Sequence, residues 1–410
     1  MLTETEPHYR QPLLRTPFHE RMRAFSQVDS FIPWSGYSTV DVFSTVEQEY
    51  FAIRNGASLY DLTPMVKYQL AGPDATRFLD RLVTRNIAKL RPGRVAYAVW
   101  CDDAGLLIDD GTVFRMAEQE YRLCTGERQL DWLLDSSIGF DVDITEVTAE
   151  IAALALQGPC SCWVLKALGL EGIETLAPFE HRSFMLPDRP TAGGVAAGAA
   201  MIVSRTGFTG DLGYELWVDP ADAGRLWDGL MEAGRVRMVR PVGSRALNIA
   251  RLEAGFLLPN VDFVSSAHTL RNSTARSPLD LGLGWCVDFG KGHFTGRRAL
   301  LEEQASEPRR RLAGLDVEGT KPAHNALLYA DHRGRREIGS VSSAAWSPTC
   351  KRNIALAMLD APHFMTGRQV WAEIYLNREL TWKRRMVRAR VVERPFFAPA
   401  RRRAVPPGDF

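Results

Sequence analysis

Two adjacent acids, Asp109 and Asp110, lie inside a largely apolar run from Leu106 to Met116. Read as a strand, the run puts Ile108, Asp110, Thr112 and Phe114 on one face and Asp109 on the other. Asp110 then stands among mostly apolar neighbours, where an unpaired carboxylate is costly unless a ligand or cation meets it. Such a group can steady positive charge that develops during a reaction, or relay a proton. Asp109, on the opposite face, suits capping or structural pairing. A second carboxylate, Glu215, falls in Tyr214–Val218, where alternation gives it a face shared with Trp217 and sends Tyr214, Leu216 and Val218 the other way. Arg245 is the third charged candidate. On a helical period it shares a stripe with Ile249, Leu252 and Phe256, which predicts an anionic or carbonyl partner such as Glu215.

These groups need scaffolding. Gly207, Gly210 and Gly213 connect an apolar run, Val195 to Val203, to Tyr214–Val218. That pattern predicts a hairpin whose loop bends tightly and leaves room for a flat ligand. Val95–Trp100, the turn-like Cys101–Gly105 and Leu106–Met116 predict a second hairpin carrying Asp110. Helices are expected behind Pro73, with Phe78, Leu79, Leu82 and Val83 on one stripe, behind Pro159 with Trp163, Val164 and Leu168, and from Pro220 with Leu226, Trp227 and Leu230. The class is α+β with antiparallel sheets.

At 410 residues the chain accommodates two or three cores, and 45% hydrophobic with 24% charged residues is ordinary for a globular protein. The 50 basic and 49 acidic residues nearly cancel, so no global field favours nucleic acid or an anionic membrane. The six cysteines form no CxxC pair and the eight histidines no HxxxH, so no metal is expected. Met1–Arg15 does not read as a secretory signal and no apolar run approaches the roughly 18 residues of a membrane span, which predicts a cytoplasmic protein. The arginine- and proline-bearing segment 398–410 reads as a flexible tail.

Ser204-Arg205-Thr206-Gly207-Phe208-Thr209-Gly210-Asp211-Leu212-Gly213-Tyr214-Glu215 resembles the signature of the aminomethyltransferase family, the folate-binding T-proteins of glycine cleavage, and meets every defined position of it. Gly105–Phe114 is similar to the family's Gly-Gly-x-x-Asp-Asp strand, with Leu106 in place of the second glycine; Val242–Gly255 is similar to its Arg-Leu-Glu-Ala helix, with one more residue between its arginines. The resemblance runs from about Thr16 to about Phe397. It implies a three-domain, cloverleaf-like architecture around a central folate cavity, with a closing β domain at the C-terminal side. The implied division is 1–62 with 150–305 as a discontinuous folate-binding domain, 63–149 as an inserted domain carrying Asp110, and 306–397 as the β domain.

The resemblance also implies tetrahydrofolate as cofactor. Asp110 is then the catalytic residue, lying against the reactive folate nitrogens, and Glu215 accepts the pterin N–H donors. Tyr97, Thr112, Phe114, Phe208, Trp217 and Arg245 complete the expected cofactor site, Arg245 toward Glu215 or the pterin oxygen. Arg251 and Glu253 have weaker claims and read as braces of their helix. Departures from the family pattern include Pro64 for a histidine, Ala246 for an aspartate, Pro259-Asn260 for Tyr-Gly, and an unusual entry at Pro33–Tyr37. These imply a retained folate acceptor and a changed one-carbon donor. The leading expectation is a methyltransferase or demethylase that moves a methyl group from a small O-, S- or N-methylated compound to tetrahydrofolate. One alternative is the aminomethyltransferase itself, which takes its donor from a lipoyl carrier protein. Another is a non-enzymatic iron–sulfur assembly factor, disfavoured because His293 replaces its diagnostic cysteine. A folate-coupled amine oxidase would need its flavin from another subunit.

Overall fold

The helix predicted behind Pro73 forms as Ala75–Leu82 and buries Phe78, Leu79 and Leu82, while Val83 ends it in an extended conformation. It covers one sheet of a computed structural model that describes residues 12–187, 189–191, 194–196, 198–269 and 274–406. The first residues of the N-terminal segment and residues 407–410 of the expected tail lie outside the described set.

Among the described residues three large sheets build the molecule. The first is antiparallel, in the order Val95–Cys101, Leu107–Ala117, Glu120–Thr125, Val66–Ala71, Asp143–Glu146. The second runs His181–Leu186, Ala199–Ser204, Gly213–Val218, Ala152–Gln157, Ser58–Asp61, and ends with Arg240–Pro241 added in parallel. The third is a closed barrel of six strands between Arg310 and Val392. This is the expected α+β class with antiparallel sheets and a C-terminal β domain. No helix among the described residues is long and apolar enough to cross a membrane.

The second sheet packs Tyr214, Leu216 and Val218 with Leu154, Leu156 and Val203 into a core under helices Ser161–Leu168 and Ala223–Ala233. Its other face carries Tyr60, Ala153, Ala155 and Trp217 toward the first sheet, whose Val95, Phe114 and Cys124 meet them. The inner seam between these faces is where the candidate groups gather.

One expectation about the Asp110 strand fails. Trp100 pairs with Asp109 but Cys101 pairs with Leu107, so Ile108 is the extra residue of a β-bulge. The bulge turns Ile108 into the core beneath the Ala75–Leu82 helix, off the Asp110 face. Asp110, Thr112 and Phe114 keep their common face, opposite Val99, Tyr97 and Val95.

The segment 398–406 is not a flexible tail. Arg401 grips Asp211 with two nitrogens, at 2.6 and 2.8 Å, and Pro399 precedes a short helical turn, Ala400–Arg402. Its partner lies 190 residues earlier, beyond the reach of local sequence patterns.

Candidate functional site

The signature hairpin closes around one side chain. Gln157 donates from Nε2 to the carbonyls of Thr206 and Tyr214, both at 3.2 Å, and accepts from the Thr209 hydroxyl at 3.0 Å. A Cβ on either Gly207 or Gly213 would collide with this amide, at 2.0 and 2.3 Å, so both positions exclude larger residues. Gly210 has φ +71° and lies against Ala254 at the end of helix Ser244–Glu253. The loop is thereby wedged between Gln157 and that helix.

On the adjoining strand Glu215 is opposite Ser204 on one side and Ala155 on the other, and Ala155 is opposite Tyr60. Opposed residues share a face. The row therefore reads Ser204, Glu215, Ala155, Tyr60, and the small alanine separates the acid from the tyrosine. The Thr206 hydroxyl donates to Glu215 Oε2 at 2.5 Å, and Ser204 Oγ receives the indole N–H of Trp217 at 3.3 Å. Burial pushes the Glu215 carboxyl up to about 7, against the opposing pull of the Thr206 and Ser204 hydroxyls. Among the described residues no cation pairs with it.

On the first sheet Asp110 is half-buried, and its Oδ2 accepts the Tyr97 phenol at 2.6 Å. Burial raises the Asp110 carboxyl above the usual range while the Tyr97 hydrogen bond lowers it; Tyr97 itself is raised by burial and then by the Asp110 charge. Asp109 is buried on the opposite face, where its two oxygens accept the Asp110 backbone N–H at 2.8 Å and the Gln129 amide at 2.9 Å. Burial and then the neighbouring Asp110 charge hold its carboxyl far above normal. It is thus the structural member of the acid pair.

The other expected residues divide. Thr112 is half-buried between Tyr97 and Cys124 in the register. Phe114 and Trp217 are closed edge-to-face at 5.5 Å and are almost wholly buried, which makes them the floor of the seam. Phe208 is half-buried and stacks on Phe256 at 5.5 Å. Arg245 corrects its expectation. Its side chain is 65% exposed and pairs with Asp41 at 2.7 Å, so it does not reach Glu215. The helical stripe it shares with Ile249 is edged by Asp41, whose distance of 204 residues in sequence hid the pairing. Arg251 and Glu253 do brace their helix: Arg251 pairs with Asp262 at 2.6 Å, and Glu253 takes Arg54 at 2.6 Å and the Tyr50 hydroxyl at 2.6 Å.

Three contributors escaped sequence reasoning. Trp285, largely exposed, stacks on Tyr97 at 5.9 Å, and the Arg85 guanidinium lies 5.7 Å from the same indole. Nothing in Leu283–Cys286 marks that contact. Gln157 could have been found, since a glycine on each side of the signature loop implies an object between them. Gly126 follows Thr125, which opposes Gly111 beside Asp110. It receives the Trp34 indole N–H at 3.3 Å and the Ser35 hydroxyl at 3.0 Å, while Asn260 donates to neighbouring Glu127 at 3.1 Å. Two of the departures from the family pattern therefore converge next to Asp110.

Residues 18–291 match the GCVT N-terminal domain and residues 310–398 match the glycine cleavage T-protein C-terminal barrel domain. An aminomethyltransferase of Geobacillus kaustophilus is 33% identical over 90% of this chain and 95% of its own. One from Caldanaerobacter subterraneus is 30% identical over 94% and 96%. A trimethylamine-oxide aldolase of Ruegeria pomeroyi is 32% identical over 87% of this chain but only 44% of its own length. The crystal structure of the glycine cleavage aminomethyltransferase T from Bartonella henselae superposes with a TM-score of 0.80 at 25% identity, covering 94% of this chain and 98% of that one.

Proposed function

From the premise that this chain belongs to the glycine cleavage T-protein family, enzymes that use folate for one-carbon transfer, we propose that it moves a methyl group from a small O-, S- or N-methylated compound to tetrahydrofolate. The carrying observation is two buried or half-buried acids, Asp110 and Glu215, each held by a phenol or hydroxyl and neither paired with a cation among the described residues.

A pterin fits what these residues lack. Its exocyclic amine and ring N–H groups are donors, and Glu215 has a buried carboxyl whose hydrogen-bond partners are hydroxyls, next to the small Ala155. Glu215 would hold the pterin edge, Phe208 would flank it, and Tyr97 with Asp110 would face the reactive side. When bound, folate supplies the nucleophilic nitrogen to which the one-carbon unit is transferred. The Asp110 carboxylate would steady positive charge developing there and could take up a proton, in an orientation set by the Tyr97 phenol. Thr112 would extend this wall, and the closed Phe114–Trp217 contact would exclude water from its inner end. The rebuilt contacts at Gly126, from Trp34, Ser35 and the neighbouring Asn260, support a donor other than the aminomethyl-lipoyl group. The relative named for trimethylamine oxide supports N-methyl compounds among the candidates.

The second reading is aminomethyl transfer from a lipoyl carrier protein, favoured by relatives of that name aligned over nine-tenths of the chain. Incubation with tetrahydrofolate and a panel of methylated donors, with mass analysis of the folate product, separates the two. Methyltetrahydrofolate is expected. Methylenetetrahydrofolate with ammonia release from an aminomethyl-lipoyl donor would give the second reading precedence.

A further inference from the structure

The segment after Phe397 is built into the signature hairpin from three directions. Arg401 donates through Nε and Nη2 to the two oxygens of Asp211, whose side chain is fully enclosed, and Nη2 also reaches the Arg54 carbonyl at 3.3 Å. Arg402 places its guanidinium 5.0 Å from the Phe256 ring, which stacks at 19° on Phe208. In the reverse direction Arg205 of the signature donates from Nη2 to the Ala404 carbonyl and from Nη1 to the Leu176 carbonyl. The first part of the segment is anchored as well, since Phe397 donates its N–H to the Glu253 carbonyl at 2.9 Å and lies under the Arg54 guanidinium at 5.0 Å.

Asp211 is the pivot. Its backbone N–H reaches the Thr209 hydroxyl, the same hydroxyl that donates to Gln157, and Gln157 in turn holds the carbonyls of Thr206 and Tyr214, at the two ends of the loop that leads into Glu215. A fork–fork arginine–carboxylate pair fixes direction as well as distance. Its effect passes through two hydrogen-bonded side chains to the strand ends that aim Glu215. The Arg402–Phe256–Phe208 stack fixes the other flank of the same loop. A segment serving only as a lid on the core would need apolar contacts alone.

We propose that Arg401 and Arg402 are positioning residues that hold the Ser204–Glu215 hairpin in its folate-binding shape. The inference rests on the folate reading given above. It assigns the segment 398–406 a part in acceptor binding and none in recognition of the methyl donor.

The test uses full-length chains carrying Arg401→Ala, Arg401→Lys, Arg402→Ala or, as control, Arg403→Ala, since Arg403 is exposed. Tetrahydrofolate Kd is measured by calorimetry well below each melting temperature, and KM is measured separately for folate and donor. Arg401→Ala should raise the folate Kd about fivefold to tenfold, within the range for changes in a coupled network. Arg401→Lys should fall between it and the unaltered chain, because an ammonium cannot form the fork. Donor KM and the Arg403→Ala control should not move. Arg402→Ala leaves the ion pair whole, so it reports on the hairpin even if Arg401→Ala fails to fold, and should raise the Kd about twofold to threefold. If Arg401→Ala and Arg402→Ala bind folate as tightly as the unaltered chain, whatever their melting points, the segment is structural only. If the unaltered chain itself binds no folate, the functional reading fails and carries this proposal with it.

Discussion

Asp211, Glu253 and Asp262 are buried acids that meet arginines: Arg54 and Arg401 at the first, Arg54 at the second, Arg251 at the third. Asp110 and Glu215 are half-buried and buried acids that meet a phenol and a hydroxyl, and no cation among the described residues pairs with either. The first set lies where helix Ser244–Glu253 crosses the barrel, with Ser343 and Ser347 of the barrel joining the network. The second lines the seam between two sheets. A neutralised carboxylate is spent on architecture, whereas one raised by burial and left without a cation keeps its charge-binding capacity for something that arrives later. Within one chain the contrast separates brace from site more sharply than burial does, because both sets are enclosed.

The largest expected effect comes from breaking the braced set. Arg54→Ala leaves Glu253 without a cation and Asp211 with one arginine fewer, and should lower stability by about 3–5 kcal/mol in denaturant unfolding. A loss below about 1 kcal/mol would show that the crossing is not held by charge.

In the second set Asp110→Asn should keep most folate affinity yet slow single-turnover transfer by roughly 10²-fold or more. Asp109→Asn should instead alter stability more than rate, since Asp109 turns toward Gln129. Were Asp109 the one controlling turnover, the wrong face of the strand would have been given to the site.

Glu215 tests the contrast by pH. Its folded carboxyl is raised from 4.5 to about 7, so the protonated form is favoured in the folded state, and the ligand-free protein loses stability as pH climbs through that window. The loss should approach roughly 3 kcal/mol, at about 1.36 kcal/mol per pH unit, and should be missing in Glu215→Gln. Unfolding free energies of both chains at pH 5 and pH 8 supply the comparison; parallel curves would mean that Glu215 is already satisfied without ligand. Folate affinity should run the other way, weakening below about pH 7 as the acceptor carboxylate is lost. Glu215→Ala should cost about 1.5–3 kcal/mol of folate binding by calorimetry.

The smallest effect is expected at the stacked pair. Phe208→Leu should lower stability by about 0.5–1.5 kcal/mol beyond what the lost area explains, measurable as a double-mutant cycle with Phe256→Leu. A cycle that closes at zero would remove that stack from the account of the hairpin.

Sequence reading reached the parts of the molecule written in short-range order. The hairpin with Gly207, Gly210 and Gly213, the common face of Glu215 and Trp217, and the helix behind Pro73 follow from steric and periodic rules that act within a few residues. The split between Asp109 and Asp110 was legible for the same reason. Ile108 was not, because a bulge is set by the partner strand, and one extra residue reverses the face. Arg245 and the segment 398–406 were misread because their partners, Asp41 and Asp211, are brought close only by the completed fold. A periodic stripe says that a side chain needs company; it does not say who provides it.

The grip of Arg401 on Asp211 also sets an order of events in time. A chain emerging from the ribosome exposes its strands from the N-terminal side first, and domains fold as units as they appear. The signature hairpin can pair with Ala152–Gln157 soon after residue 218 is made, yet the guanidinium that grips its loop lies 190 residues beyond Asp211. Through that interval the acid at 211 has Arg54 alone. The hairpin loop therefore gains this last ion pair only after the barrel has been synthesised, and a nascent or prematurely terminated chain would carry the whole family signature without it.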